Sequence, residues 1–216
     1  PTDVDLPTLP VFLLNSLAGG ATAVLPDADL RNVGSVDPIR IVDQIRRHGV
    51  TCSTGSPAFY ARISDYLVNS NQSLPSLKKL FIGGGRVPSS LLVSLTKHLP
   101  NAHIEVVYGS TEAEPIATIE ASEVLALGGD DAGNGSCVGR IVDGLHLRLL
   151  GPGTLTAVEA GQVGEVVVAG NHVNPSYFED PDSDALYKVV DGALTWHRTG
   201  DMARLDDHGR LWLVGR

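Results

Sequence analysis

The stretch VVYGSTEAEP, residues 106–115, joins strand-like apolar residues to a cluster of polar ones. Ile104, Val106 and Val107 have the composition of a buried strand, which ends at an aromatic residue, a glycine, two hydroxyls and an acid. Pro115 follows and disfavours a helix directly behind the cluster. In α/β proteins, ligands bind where strands end in this way, so the stretch indicates the mouth of a sheet.

Strand-like and helix-like segments alternate upstream of this stretch. One helix is predicted to begin at Pro38 with Asp37 as its N-cap and to end at Gly49. Two more helices are predicted over residues 57–68 and 87–98, and strands over residues 21–25, 50–52, 77–85 and 103–108. This alternation predicts an α/β fold with a mostly parallel sheet and flanking helices.

Downstream, the pattern changes to short strands. LALGGDDAGNGS is a polar, glycine-rich connector, and strands are predicted over residues 136–141, 145–150, 165–169, 201–205 and 210–214. The last two flank a predicted hairpin turn at residues 206–209, and helical periodicity is nearly absent. We therefore predict a sheet subdomain (1–121), a linker (122–136) and a small antiparallel β-barrel or sandwich (137–216), of which we favour the barrel.

Composition narrows the class of protein. Hydrophobic residues make up 43% of the 216 residues and charged residues 19%, which is typical of a soluble globular chain. The net charge of −9 argues against a nucleic-acid partner, and no apolar run is long enough to span a membrane. We expect no secretory signal, because the first residues show no basic region leading into an apolar one, and we interpret Cys52 and Cys137 as buried reduced thiols. A cytoplasmic location is therefore predicted.

The residue types in VVYGSTEAEP suit a nucleotide. The face of Tyr108 can stack on a planar base, and Gly109 allows close approach of the backbone. Thr111 can donate to a phosphate oxygen, and Glu112 offers a hard oxygen ligand for Mg²⁺. The alternative is that Tyr108 merely completes the strand and the following residues turn the chain.

Two further stretches are open to a functional and a structural interpretation. In LFIGGGRVP, residues 80–88, Gly83, Gly84 and Gly85 either form the floor of a base pocket or make a flexible turn. Asp201, after a glycine and before a strand, either accepts the hydroxyls of a ribose or is an ordinary turn residue. His197 either lines a site or has a surface or packing role, and we favour the second.

Together, three stretches resemble the acyl-adenylate-forming (AMP-binding) enzymes: YGSTE (108–112), GEVVVAGNHVNPSYFED (164–180), and RTGD (198–201) with the closing Gly215-Arg216. Their order and spacing match that superfamily over nearly the whole chain. Several stretches, among them DLPTLPVFLLNSLAGGATAVLPD and WHRTGD, are most similar to long-chain fatty acyl-CoA ligase-like proteins and to the β-lactone synthetases of bacterial olefin biosynthesis.

The resemblance implies a role for each candidate. Tyr108 would stack on adenine above Gly83–Gly85, with Gly109 and Ser110 in the same nucleotide-binding stretch. Thr111 would contact the α-phosphate, and Glu112 would hold Mg²⁺; these two are the catalytic candidates. Asp201 would take the ribose hydroxyls with help from Arg216. ATP, AMP and Mg²⁺ are the implied cofactors.

The implied reaction is ATP-dependent activation of a medium- or long-chain fatty acid, with β-hydroxy acids among the candidates, to acyl-AMP. The acyl group would then pass to coenzyme A, to an acyl carrier protein or to its own β-hydroxyl. The family's phosphate loop would precede residue 1 and its lysine-bearing lid would follow Arg216, so we expect this chain alone to turn over little. The alternatives are a non-catalytic, partner-binding relative and a nicotinamide oxidoreductase, although the latter's glycine fingerprint is missing.

Overall fold

The computed structural model describes residues 3–128, 135–151 and 153–216, and these fall into two compact units. The first unit comprises the described residues up to Val106 together with residues 120–128, and the second comprises residues 107–119 and those from 135 onward. The predicted boundary at residue 121 differs from this division, because residues 107–119 make their contacts with the second unit. Within the described residues, no helix is long and apolar enough to cross a membrane.

The first unit is built on parallel strands with helices between them. Its strands are β1 (Val4–Pro7), β2 (Thr22–Ala23), β3 (Cys52–Gly55), β4 (Lys79–Gly83) and the beginning of β5 (His103–Ser110), in the order β2-β1-β3-β4-β5. The pairs β1–β2, β1–β3 and β3–β4 are parallel. The prediction of a mostly parallel sheet with flanking helices is confirmed.

The helices of this unit include the three that the sequence predicts, together with two that it did not predict, at residues 10–18 and 121–126. They are α1 (Pro10–Ala18), α2 (Pro38–His48), α3 (Pro57–Ser70), α4 (Ser89–His98) and α5 (Ala121–Ala126), with a 3₁₀ helix at Leu30–Ser35. The Asp37 side chain accepts the N–H of Ile39 at the start of α2, and Gly49 ends that helix in the left-handed conformation with φ 60°. Of the apolar residues of α2, Ile41, Val42 and Ile45 are buried, whereas Ile39 is 50% exposed.

The predicted linker also differs from the structure in its first part. Ala121–Ala126 form α5, in which Ala121 and Val124 are buried. Residues 129–134 of that linker lie outside the described residues, and β7 begins at Ser136. The sequence predicted a connector because the segment is rich in glycine. These glycines all lie after α5, so they do not prevent Ala121–Ala126 from forming a helix.

The second unit is an antiparallel sheet. Its strands are β6 (Ala113–Glu120), β7 (Ser136–Ile141), β8 (Leu145–Leu150), β9 (Gly164–Gly170), β10 (Lys188–Asp191), β11 (Leu194–Leu205) and β12 (Leu211–Gly215). Their order is β6-β7-β12-β11-β9-β8, with β10 on β11, and every one of the pairings named among them is antiparallel. The antiparallel prediction is confirmed, whereas closure into a barrel stays a prediction.

One helix interrupts this sheet, where the sequence showed almost no helical periodicity. Helix α6 (Pro181–Tyr187) begins with Asp180 as its N-cap, whose side chain accepts the N–H of Ser183. The helix is short and buries no residue, so it has no apolar stripe for a periodicity search to detect. The core of the unit lies elsewhere, around Tyr108, Ile116, Val166, Val168 and Leu211.

Candidate functional site

The RTGD stretch forms an irregularity in β11, and each of its residues has a structural task. The register between β11 and β9 shifts between Arg198 and Met202. Arg198 makes an ion pair with Glu165 on β9, and the Thr199 hydroxyl donates to the Val166 carbonyl oxygen at 3.0 Å. Gly200 has φ +74°, a conformation that side chains disfavour, and it carries the chain over the irregularity to Asp201.

Asp201 faces Tyr108. The Tyr108 hydroxyl donates to Asp201 Oδ2 at 2.9 Å across 93 residues of sequence, and Arg216 Nε lies 3.4 Å from Asp201 Oδ1. The Asp201 backbone N–H is held by the Thr199 hydroxyl oxygen at 3.0 Å. Three of the residues predicted to bind one nucleotide therefore lie together within the second unit.

The Tyr108 side chain is largely buried. It is 8% exposed and belongs to the core cluster of the second unit, and burial raises the pKa of its hydroxyl above the usual range. The hydroxyl therefore remains protonated and donates to Asp201. Little of the ring is open to a base in this conformation, so the predicted stacking of Tyr108 on adenine stays a prediction.

Thr111 and Glu112 form the turn between β5 and β6. Strand β6 was not predicted from the sequence, because Pro115 lies near its start and proline is disfavoured within strands. The signal for this strand lay in the apolar positions Ile116, Ala117 and Ile119, all of which are buried. Thr111 is exposed at the turn, where its hydroxyl is available to a ligand.

Glu112 is ionised in this setting. Burial opposes its charge, but the neighbouring Ser110 hydroxyl, its own backbone N–H and the Tyr177 hydroxyl outweigh that effect and lower the pKa of Glu112. The Tyr177 hydroxyl donates to Glu112 Oε1 at 2.9 Å, whereas the buried Ser110 hydroxyl lies near the carboxylate without completing a hydrogen bond of ordinary geometry. Partial burial and the Glu112 carboxylate raise the pKa of Tyr177 to about 12, so Tyr177 is the donor.

Lys188 and His197 lie beside Tyr177. Lys188 Nζ is 5.0 Å from the centre of the Tyr177 ring and 3.5 Å from His197 Nδ1. His197 is 3% exposed, and burial together with Lys188 lowers its pKa, so it is a neutral, packed side chain. The packing interpretation of His197 agrees with this geometry. Tyr177 and Lys188 were missed by sequence reasoning, although Tyr177 falls within one of the three stretches that carry the resemblance.

The predicted glycine floor belongs to the first unit. Gly83 ends β4, and Gly84 follows with φ +78°. The backbone at Gly84 thus needs glycine for its conformation, which is what a turn requires. The predicted place of Gly83, Gly84 and Gly85 beneath a base stays a prediction.

The residues around the turn fit a magnesium ion that is shared with phosphates. Among the described residues, no three His, Cys, Asp or Glu side chains are grouped so as to hold a metal ion. Magnesium commonly takes one or two carboxylates and completes its shell with water and substrate phosphates. The ionised Glu112 and the buried Ser110 hydroxyl suit such a shared site.

A family model describing an "AMP-binding enzyme" matches residues 8–178, which is more than half of the chain. The chain belongs to the AMP-binding enzyme family. The predicted resemblance to the acyl-adenylate-forming enzymes is thereby confirmed, and members of this family use ATP and AMP.

Two curated relatives illustrate the similarity. The olefin β-lactone synthetase of Stenotrophomonas maltophilia (strain K279a) is 35% identical over 99% of this chain and 41% of its own length. The 4-coumarate–CoA ligase 3 of Oryza sativa subsp. japonica is 27% identical over 99% of this chain and 38% of its own length. The chain thus spans about two fifths of the length of these relatives.

A solved structure shows the same fold. The o-succinylbenzoate coenzyme A synthetase of Bacillus subtilis, solved in complex with AMP, superposes with a TM-score of 0.77 at 25% identity. The alignment covers 99% of this chain and 41% of that protein. The α/β fold class predicted from the alternation of strands and helices is confirmed.

Proposed function

We propose that this chain supplies the ribose-binding and metal-binding part of the site in which an AMP-binding enzyme converts a carboxylic acid to acyl-AMP. The observation that carries the proposal is the contact of Tyr108 with Asp201, 93 residues apart, within a unit whose β5–β6 turn also presents Thr111 and Glu112. Membership of the AMP-binding enzyme family supports an adenine nucleotide as the ligand of this grouping.

The ribose is assigned to Asp201. Its carboxylate is fixed by Tyr108 on one oxygen, and the other oxygen pairs with Arg216, whose side chain is 80% exposed. Because exposed ion pairs are weak, a ribose hydroxyl can displace Arg216 from that oxygen at little cost. Arg216 can then turn to a sugar or phosphate oxygen, and Tyr108 keeps the carboxylate oriented throughout.

The phosphates are assigned to the β5–β6 turn. The exposed Thr111 hydroxyl donates to an α-phosphate oxygen, and Glu112 provides a carboxylate oxygen for Mg²⁺. Bound Mg²⁺ would neutralise charge on the phosphates during the attack. The carboxylate of the acid attacks the α-phosphorus of ATP, the bond to the bridging oxygen breaks, and pyrophosphate leaves with that electron pair. Orientation and charge neutralisation supply most of such catalysis.

The acid is proposed to be a medium- or long-chain fatty acid, with a β-hydroxy acid among the candidates. The support is the 35% identity to an olefin β-lactone synthetase and the 27% identity to a CoA ligase. Coenzyme A, an acyl carrier protein or the acid's own hydroxyl are the acceptors that these relationships favour. Cys52 and Cys137 are thiols that form no disulfide with each other, which supports the proposed cytoplasmic location.

Calorimetry with AMP tests the nucleotide assignment. We expect Asp201→Ala to weaken AMP binding by about tenfold or more, because a carboxylate that accepts two hydroxyls is lost. Asp207→Ala is the matched control, since Asp207 is an exposed aspartate in the β11–β12 turn of the same unit. Equal AMP affinity in the wild type and Asp201→Ala would contradict the proposal and favour a non-catalytic, partner-binding role.

A further inference from the structure

The Thr111–Glu112 turn is held by a segment that lies about 60 residues further along the chain. The Asn174 backbone N–H donates to the Glu112 carbonyl oxygen at 2.8 Å, and Asn174 Nδ2 donates to the Thr111 carbonyl oxygen at 3.2 Å. Val173 forms an isolated antiparallel bridge with Ala113, directly after the turn. With the hydroxyl of Tyr177 on Glu112 Oε1, four contacts reach the turn from residues 173–177, which we call the clamp.

The clamp is itself held in place. The Tyr177 backbone N–H donates to Asp184 Oδ1 on α6 at 2.8 Å. Lys188 Nζ donates to the Asn174 carbonyl oxygen at 2.5 Å and lies over the Tyr177 ring, so one cation joins both ends of the clamp. The ring of Tyr187 packs edge-on against Tyr177, with 6.2 Å between centroids. The position of the Tyr177 hydroxyl is therefore fixed by contacts on its backbone and on its ring.

We propose that Tyr177 is a positioning residue for the adenylation reaction, holding one oxygen of Glu112 so that the other is presented to the metal ion. This inference rests on the proposed function. Glu112 stands in the two-residue turn between β5 and β6 and is partly exposed, so its side chain keeps rotational freedom unless a partner holds it. One hydrogen bond from a rigid phenol removes much of that freedom, and such partners of a ligating carboxylate raise metal affinity severalfold or more.

The clamp also explains why a Tyr is needed here. A shorter hydroxyl side chain at this position would not span from the α6 end of the clamp to the turn. The aromatic ring of Tyr177 is long enough to bring its hydroxyl to Glu112, and contacts with Lys188 and Tyr187 hold this ring in place. Removal of the hydroxyl alone should leave the ring contacts intact, which makes Tyr177→Phe a selective substitution.

The experiment compares Tyr177→Phe with Tyr187→Phe, a control that loses a hydroxyl ten residues along the chain while keeping its ring. Binding of AMP without metal reports on the Asp201 side, and binding of Mn²⁺·ATP, followed by the electron paramagnetic resonance of Mn²⁺, reports on Glu112. We expect Tyr177→Phe to weaken Mn²⁺·ATP binding about tenfold and AMP binding less than twofold. Tyr187→Phe should match the wild type with both probes.

A second measurement needs no nucleotide. Hydrogen exchange at the Asn174 amide reports the bond between the clamp and Glu112, and Tyr177→Phe should accelerate it about tenfold if the hydroxyl holds the turn. Unchanged Mn²⁺·ATP affinity and unchanged exchange would overturn the inference. An equal loss with AMP and Mn²⁺·ATP would overturn it too, since it would indicate a general structural role.

The two proposals fail in different ways. A wild-type chain that binds neither AMP nor Mn²⁺·ATP would contradict the proposed function. In that event exchange at Asn174 still decides whether Tyr177 holds Glu112, because this contact exists without a ligand. A chain that binds both ligands but is indifferent to Tyr177→Phe would leave the proposed function standing and remove Tyr177 from it.

Discussion

The Tyr108 hydroxyl donates a 2.9 Å hydrogen bond to the Asp201 carboxylate, joining the end of β5 to the irregular part of β11. Tyr108 is anchored in the core and Asp201 is only partly covered, with 22% of its side chain exposed. The rigid partner therefore orients the accessible one. This arrangement suits a carboxylate that must meet two hydroxyls of a sugar at a fixed angle.

Tyr108→Phe should separate this hydrogen bond from the packing of the ring. We expect the free energy of unfolding to fall by about 1–2 kcal/mol, because a hydrogen bond to a charged, half-buried acceptor is lost while the ring stays in the core. We also expect weaker AMP binding, since Asp201 loses its orienting partner. Urea denaturation and calorimetry measure the two effects, and a fall in stability without any loss of AMP affinity would show that Asp201 is oriented by its backbone alone.

Gly200→Ala should lower the stability of the protein and also weaken AMP binding. At φ +74° an added Cβ meets no atom within 4 Å, so the cost is conformational, about 1 kcal/mol. Because Gly200 immediately precedes Asp201, the strain should also shift the carboxylate and weaken AMP binding severalfold.

Gly209→Ala is the matched control for that substitution. Gly209 has φ +72°, also with no atom within 4 Å of an added Cβ, and lies in the β11–β12 turn. We expect a similar loss of stability in urea denaturation and unchanged AMP affinity. Equal AMP affinities in Gly200→Ala and Gly209→Ala would mean that the conformation of residue 200 does not orient Asp201.

The sequence predicted elements whose signals are local. Asp37 and Gly49 bound α2, and Ser136–Ile141 and Leu145–Leu150 are strands over the residues predicted, because caps, turns and alternating apolar residues act within a few positions. Helix α6 was missed because it buries no residue and so leaves no local signal, and β6 was missed because its proline outweighed the signal of its apolar residues.

The same distinction applies to the candidate site. Tyr108 and Asp201 were predicted to share one nucleotide; the two residues are in contact, and the shared nucleotide stays a prediction. Tyr177 could not be found in this way, because its role depends on α6 and Lys188 bringing it to Glu112 from 65 residues away. A hydroxyl that acts through a partner distant in sequence leaves no pattern in its own surroundings.

Asp206 should govern the stability of the β11–β12 hairpin in acid. Its carboxylate accepts the backbone N–H groups of His208 and Arg210, each at 2.9 Å, together with the Arg210 side chain at 2.7 Å and the Trp212 indole at 3.0 Å. Burial opposes the charge of Asp206, but these four donors outweigh it and hold the pKa of Asp206 well below its ordinary value of 3.8.

A pKa that is lower in the folded than in the unfolded chain gives stability that is fully present above pH 3.8 and is lost as the pH falls toward the folded value. Asp206→Asn should therefore lower the free energy of unfolding by about 2 kcal/mol at pH 7, and the difference from the wild type should narrow below pH 3.8. Urea denaturation from pH 7 to pH 3 measures this, with Asp207→Asn as the control in the same turn. If the difference in unfolding free energy between Asp206→Asn and the wild type stays constant over that range, the four hydrogen bonds stabilise the conformation of the turn and do not depend on the charge of Asp206.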